Sequence, residues 1–89
     1  MMRRNPNYVL REIAGENILV PIHGDMDFNG ILTFNPLGLE IYRRIEEVPS
    51  EEVLIQTLCE EYDAPPEVIA ADAADFLATL RRENLIFDT

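Results

Sequence analysis

Gly30-Ile31-Leu32-Thr33-Phe34-Asn35-Pro36-Leu37-Gly38 is a short strand that runs straight into a helix, and the rest of the chain can be placed around it. Three of the four residues from Ile31 to Phe34 are β-branched or aromatic, which suits a pleated strand. Asn35 is a strong N-cap, and Pro36 fills the first helical position, where its missing N–H costs nothing. No charge and no proline interrupts the strand. At a sheet edge it would be unprotected, with a row of backbone groups open to another chain.

Outward from this stretch, toward the N-terminus, Tyr8-Val9-Leu10-Arg11-Glu12-Ile13 reads as a first strand. Ala14-Gly15-Glu16-Asn17 follows as a tight turn, with Gly15 free to take a positive φ. Residues 18–20 form a second strand, which Pro21 ends or edges. Residues 22–29 are a polar connection, and residues 30–34 then pair back onto the second strand. The resulting meander has its first and third strands at the edges. Arg11 and Glu12 blunt the first edge, while the third has no such guard. The second strand is apolar on consecutive residues, where a half-solvated strand would alternate. Its outer sheet face is therefore expected to be covered, by a second copy in a homodimer or by another protein.

Toward the C-terminus the pattern is helical. Residues 36–46 place Leu37, Ile41 and Ile45 on one face, with Tyr42 beside them and Arg43 and Arg44 pointing away. Val48-Pro49 breaks that helix. Ser50 caps a second one, in which Leu54, Leu58 and Tyr62 form the buried stripe with Ile55 and Cys59. A third helix is expected over 65–83, with Ile69, Ala73, Phe76 and Leu80 toward the core. Asn84 suits a left-handed stop. Leu85-Ile86-Phe87 is an apolar tail that returns to the core. Strands followed by helices give an α+β class.

The totals bound the function. Eighty-nine residues suffice for one domain with one modest core, residues 1–7 being expected to be flexible. No run approaches the roughly 18 apolar residues of a membrane helix, and the start is not a signal peptide. A cytoplasmic protein without a membrane partner is the default expectation. Cys59 is the only cysteine, so no disulfide framework exists and a packing role is expected. The net charge is −10, every basic residue is an arginine, and residues 46–75 hold acids but no base. Such a surface repels a phosphate backbone, so no nucleic-acid partner is expected.

Chemistry-bearing patterns are few. Asp25-Met26-Asp27-Phe28-Asn29-Gly30 matches the opening of an EF-hand loop, but the twelfth position, which needs a bidentate glutamate, is Pro36. The segment is read as a polar turn. His23 is the only histidine and has no cysteine or second histidine to join it in a metal site. Ser50 sits where an N-cap belongs. No catalytic residue, metal site or cofactor is assigned, and the chain is not expected to be an enzyme.

The third helix has two flanks beyond its core line. Ala70, Ala74 and Leu77 lie on one side, and Val68, Asp72, Asp75 and Thr79 on the other. Alanines are good helix formers on any surface. They also let another backbone approach, with Leu77 offering apolar contact and Arg81 closing the end of a shallow groove.

The order and spacing of several short motifs over nearly the whole chain carry a resemblance. They are Arg11-Glu12-Ile13-Ala14-Gly15-Glu16, Leu19-Val20-Pro21, Asn29-Gly30-Ile31 with Asn35 and Gly38, Leu58 with Glu61-Tyr62-Asp63, Asp72 with Phe76-Leu77 and Leu80, and Asn84-Leu85-Ile86. Together they resemble the family of the pyrroloquinoline-quinone (PQQ) biosynthesis protein D. The resemblance implies a winged-helix-like domain, a three-stranded antiparallel sheet followed by three helices. It implies a PqqD-like recognition element for ribosomally synthesised, post-translationally modified peptides. Such a peptide chaperone binds the leader segment of a precursor peptide and presents it to a modifying enzyme, often a radical S-adenosylmethionine (radical SAM) enzyme. The leader lies as an added strand between the third strand and the third helix. By position this gives Gly30, Ile31, Leu32, Thr33 and Phe34 on the strand, with Ala70, Ala74, Leu77 and Arg81 on the helix. Two alternatives are a winged-helix DNA-binding regulator and a dimerising assembly subunit without a peptide ligand. The first needs a basic recognition helix, which the acids Glu67, Asp72 and Asp75 contradict.

Overall fold

A computed structural model describes residues 1–22 and 32–88. His23, the EF-hand-like segment and the site positions Gly30 and Ile31 lie outside the described residues. The element order is β1 (Met2–Arg4), β2 (Tyr8–Ile13), β3 (Glu16–Pro21), β4 (Leu32–Thr33), α1 (Pro36–Arg44), α2 (Glu51–Glu61), α3 (Pro66–Arg82) and β5 (Ile86–Asp88). The α+β class follows: β2, β3 and β4 form a three-stranded antiparallel sheet in that order, and three helices succeed it.

The hairpin forms because its turn chemistry matches strand twist. Ala14 and Gly15 have φ of 52° and 83°, so both turn residues are left-handed, as a two-residue type I′ connection requires. The register then runs unbroken from Tyr8 opposite Pro21 to Ile13 opposite Glu16. β3 is longer than the sequence suggests, because this turn lets Glu16 and Asn17 join the ladder. Gly15 takes its φ at no steric cost, whereas Ala14 carries a Cβ into the same region. Replacing Ala14 with Asn, which tolerates that conformation, should stabilise the fold by about 0.5–1 kcal/mol, read as a rise in urea midpoint.

Leu19 at the centre of β3 is fully buried, and strand alternation sends Ile18 and Val20 to the outer face, where both are half-buried. Ile13 and Ile22 are exposed by 52% and 54%. An apolar outer face is therefore present.

The first residues depart from expectation. Met2–Arg4 is not a loose end: it pairs antiparallel with Ile86–Asp88 in a separate two-stranded sheet, and Met2 is buried. Asn5 clamps the two chain ends together. Its N–H donates to the Leu85 carbonyl at 2.9 Å, its side-chain amide donates to the Asn84 carbonyl at 2.8 Å, and its side-chain oxygen accepts from the Asn7 N–H at 2.9 Å. Asn84 has φ of 59°, the left-handed stop expected after α3. Arg4 reinforces the strap, with its guanidinium 5.3 Å from the centre of the Tyr42 ring and its Nη2 3.3 Å from Glu46. Asn5→Ala should cost about 1–3 kcal/mol in urea denaturation, because the Asn84 carbonyl and the Asn7 N–H lose their buried partner.

α1 and α2 each start at a side-chain cap. The Asn35 side chain accepts from the Gly38 N–H at 2.7 Å, and Ser50 Oγ accepts from the Val53 N–H at 3.2 Å. Proline occupies the first turn of both α1 and α3. Arg44 ties α1 to α2 through Glu61 and also bonds Glu40 one turn back. Ile41, Tyr42, Ile45, Leu54, Leu58, Ile69, Ala73, Leu77 and Leu80 meet in the core with Leu19, Phe34, Leu85 and Ile86. The buried stripe of α3 thus contains Leu77, which is 0% exposed, whereas Phe76 is only half-buried. Helical spacing predicts the reverse, with Phe76 in the core and Leu77 on the flank. No described helix is long and apolar enough to cross a membrane.

Candidate functional site

β4 lies at the edge of the sheet, bonded to β3 on one side. Thr33 stands opposite Ile18 and Leu32 opposite Leu19, while the Phe34 N–H donates to the Asn17 carbonyl at 2.9 Å. In an antiparallel ladder, successive residues direct their backbone groups to opposite sides. Phe34 faces β3, so the N–H and C=O of Thr33 face away from it. Thr33 is itself exposed.

Phe34 fixes this edge to the helices. Its ring is buried, 5.1 Å from Tyr42 and 5.8 Å edge-on from Phe76, measured between ring centres. The start of α1 is pressed against the same Phe76. A Cβ added at Gly38 would come within 3.1 Å of the Phe76 ring and 3.0 Å of the Asn35 cap oxygen. That close approach is why a glycine occupies the position.

Between the start of α1 and one flank of α3 lies a cleft of about 570 Å³. Asn35, Pro36, Leu37, Gly38 and Ile41 line one side, Asp72, Asp75, Phe76 and Thr79 the other, and Tyr62 also contributes. A smaller hollow of about 300 Å³ lies nearby, between the hairpin turn at Gly15 and residues 33–36. Edge strand, cap and cleft are therefore continuous through Phe34, Asn35 and Pro36. The spacing of Asp72, Asp75, Phe76 and Thr79 places all four on one face of α3.

The residues expected to form the site separate. Thr33 and Phe34 line the smaller hollow, which shares Asn35 and Pro36 with the cleft, and Leu32 is half-buried. Ala70, Ala74, Leu77 and Arg81 do not line it. Leu77 is inside the core and offers no surface to another molecule. Arg81 is turned to its own chain: it contacts Glu51 at the start of α2 at 2.7 Å and grips Asp88 on β5 through two bonds of 2.9 and 3.0 Å. Those bonds hold the Asp88 carboxyl below the usual carboxylate range. Asp72, Asp75, Phe76 and Thr79 line the cleft instead. The flank with Asp72, Asp75 and Thr79 is visible in the sequence, but small alanines on the opposite side drew the groove there.

The family model described as coenzyme PQQ synthesis protein D matches residues 16–86. No curated protein sequence matches the chain. Two solved structures are similar to it in fold. One is described as TbiB1 in complex with the TbiA(beta) leader peptide, at 21% identity and a TM-score of 0.73, covering 98% of this chain and 96% of that one. The other is described as lasso peptide synthetase B1 complexed with the leader peptide, at 16% identity and a TM-score of 0.75, covering 98% of each chain.

Proposed function

The chain belongs to the coenzyme PQQ synthesis protein D family, and from that premise we propose that it is a non-catalytic module that captures the leader segment of a ribosomally synthesised precursor peptide and presents it to a modifying enzyme, a radical SAM enzyme being the expected recipient. The open outer side of β4, next to a cleft with an aromatic floor, carries this reading. A guest strand bonds to the free backbone groups at Thr33, and its alternate side chains reach into the cleft. The two structurally similar proteins, each described in complex with a leader peptide, support the same reading.

Backbone bonding alone does not make such a site tight. Each hydrogen bond contributes a net of about 0.5–1.5 kcal/mol, and ordering a flexible leader opposes the sum. Apolar side chains of the guest, seated against Phe76, Leu37 and Tyr62, set the affinity. With Asp72 and Asp75 on the exposed flank of α3, DNA binding has no electrostatic support.

The test is a titration of isotope-labelled protein with the leader segment of a candidate precursor peptide. Chemical-shift changes should cluster at residues 32–38 and on the 72–79 flank of α3. Changes confined to the Ala70, Ala74 and Arg81 side, or no changes at all, would reject the reading.

A further inference from the structure

Resting on the peptide-capture reading, we infer that the guest segment carries a basic side chain, lysine or arginine, where it faces Asp72 and Asp75. The cleft holds two carboxylates and no cation. Both aspartates are exposed, and among the described residues neither side chain makes an ion pair or a hydrogen bond; Thr79 bonds only the Asp75 backbone carbonyl. None of the seven arginines lines the cleft, and three of them are held by other parts of the chain. Arg4 is held by Glu46, Arg44 by Glu40 and Glu61, and Arg81 by Glu51 and Asp88. The cleft wall is therefore negative within a molecule of net charge −10.

The apolar part of the cleft fits the same residue class. A lysine or arginine lays its methylene stem on apolar surface and keeps its charged head near water. Here Leu37 and Phe76 offer the stem apolar surface, and Asp72 and Asp75 offer the head a carboxylate. In an added strand, side chains two residues apart point the same way. The basic residue and an apolar anchor therefore sit at positions of equal parity in the guest. A glutamate at the basic position would be repelled, so the two aspartates act mainly as a filter between leaders.

A positional-scanning library of N-acetylated dodecapeptides tests this against the full chain and its Asp72→Asn/Asp75→Asn double variant. Both positions are exposed, and circular dichroism should report the same fold for the two proteins. The unmodified protein should retain peptides with arginine or lysine over those with glutamate at one position by about five- to tenfold at low salt, less at high salt. The double variant should lose that preference and keep its preference for apolar residues. Peptides retained with no preference for basic over acidic residues, or a preference that persists in the double variant, would overturn the inference while leaving peptide capture intact. Retention of no peptide at all would overturn both.

Discussion

Thr33→Pro is expected to weaken leader capture by roughly ten- to a hundredfold while the protein remains folded. The reasoning lies in the direction of one amide. Phe34 bonds back to Asn17, so Thr33, one residue earlier, sends its N–H to the open side of β4. Proline there deletes a donor that β3 does not use, and edge strands tolerate proline for that reason. Its effect on Leu32 is to favour extended backbone, which β4 already has. The guest, in contrast, loses a hydrogen bond and meets the pyrrolidine ring where its own carbonyl should sit. Thermal melting would verify the fold, and titration with the leader would measure the loss. A folded Thr33→Pro protein with undiminished affinity would mean that the guest does not add to this edge.

The second large effect separates core from cleft on the same helix. Leu77→Ala should cost about 2–5 kcal/mol of stability, as truncation of a fully buried leucine does when its surroundings relax only in part. Leader affinity of the folded protein should stay within about twofold, since no atom of Leu77 reaches the cleft; the allowance is the usual few tenths of a kcal/mol in such comparisons. Phe76→Ala, one residue earlier, should do the reverse in kind. Its ring forms the cleft floor and packs on Phe34 and the backbone at Gly38, so affinity falls together with stability. Urea denaturation and leader titration on both variants give the comparison. Equal losses of affinity in the two would return Leu77 to the binding surface.

Much of the fold was legible because it is written in local chemistry. The hairpin follows from Ala14-Gly15, the strand-to-helix junction from Asn35-Pro36, the start of α2 from Ser50 and the end of α3 from Asn84. Each needs only a few neighbouring residues to satisfy backbone groups. What escaped depends on partners far along the chain. Met2–Arg4 is a strand only because Ile86–Asp88 returns beside it, and nothing in Met2-Arg3-Arg4 announces that partner. The helical wheel of α3 located its apolar arc but not its orientation. Phe76 and Leu77 are neighbours on that arc. Which one enters the core is decided by packing against α2 on one side and by Phe34 and Gly38 on the other. The reason for a glycine at position 38, the Phe76 ring that a Cβ there would crowd, is likewise a tertiary contact.

The strand that forms the sheet edge was legible in the sequence, whereas the face of α3 that lines the cleft was not. The meander order put the third strand at an edge, and its lack of charge and proline left that edge unguarded. The cleft face required knowing tertiary partners: Arg81 is committed to Glu51 and Asp88, and Leu77 is buried in the core. Once those residues are excluded, Asp72, Asp75, Phe76 and Thr79 are the face beside β4 and α1.

Hydrogen exchange at the Thr33 amide is the most direct measure of whether a guest strand docks on β4. In the free protein this exposed edge amide should exchange fast, and saturation with leader should slow it by about ten- to a hundredfold, as expected for a new inter-strand bond opening only locally. A Thr33 amide that exchanges as fast in the saturated complex as in the free protein would contradict strand addition at this edge.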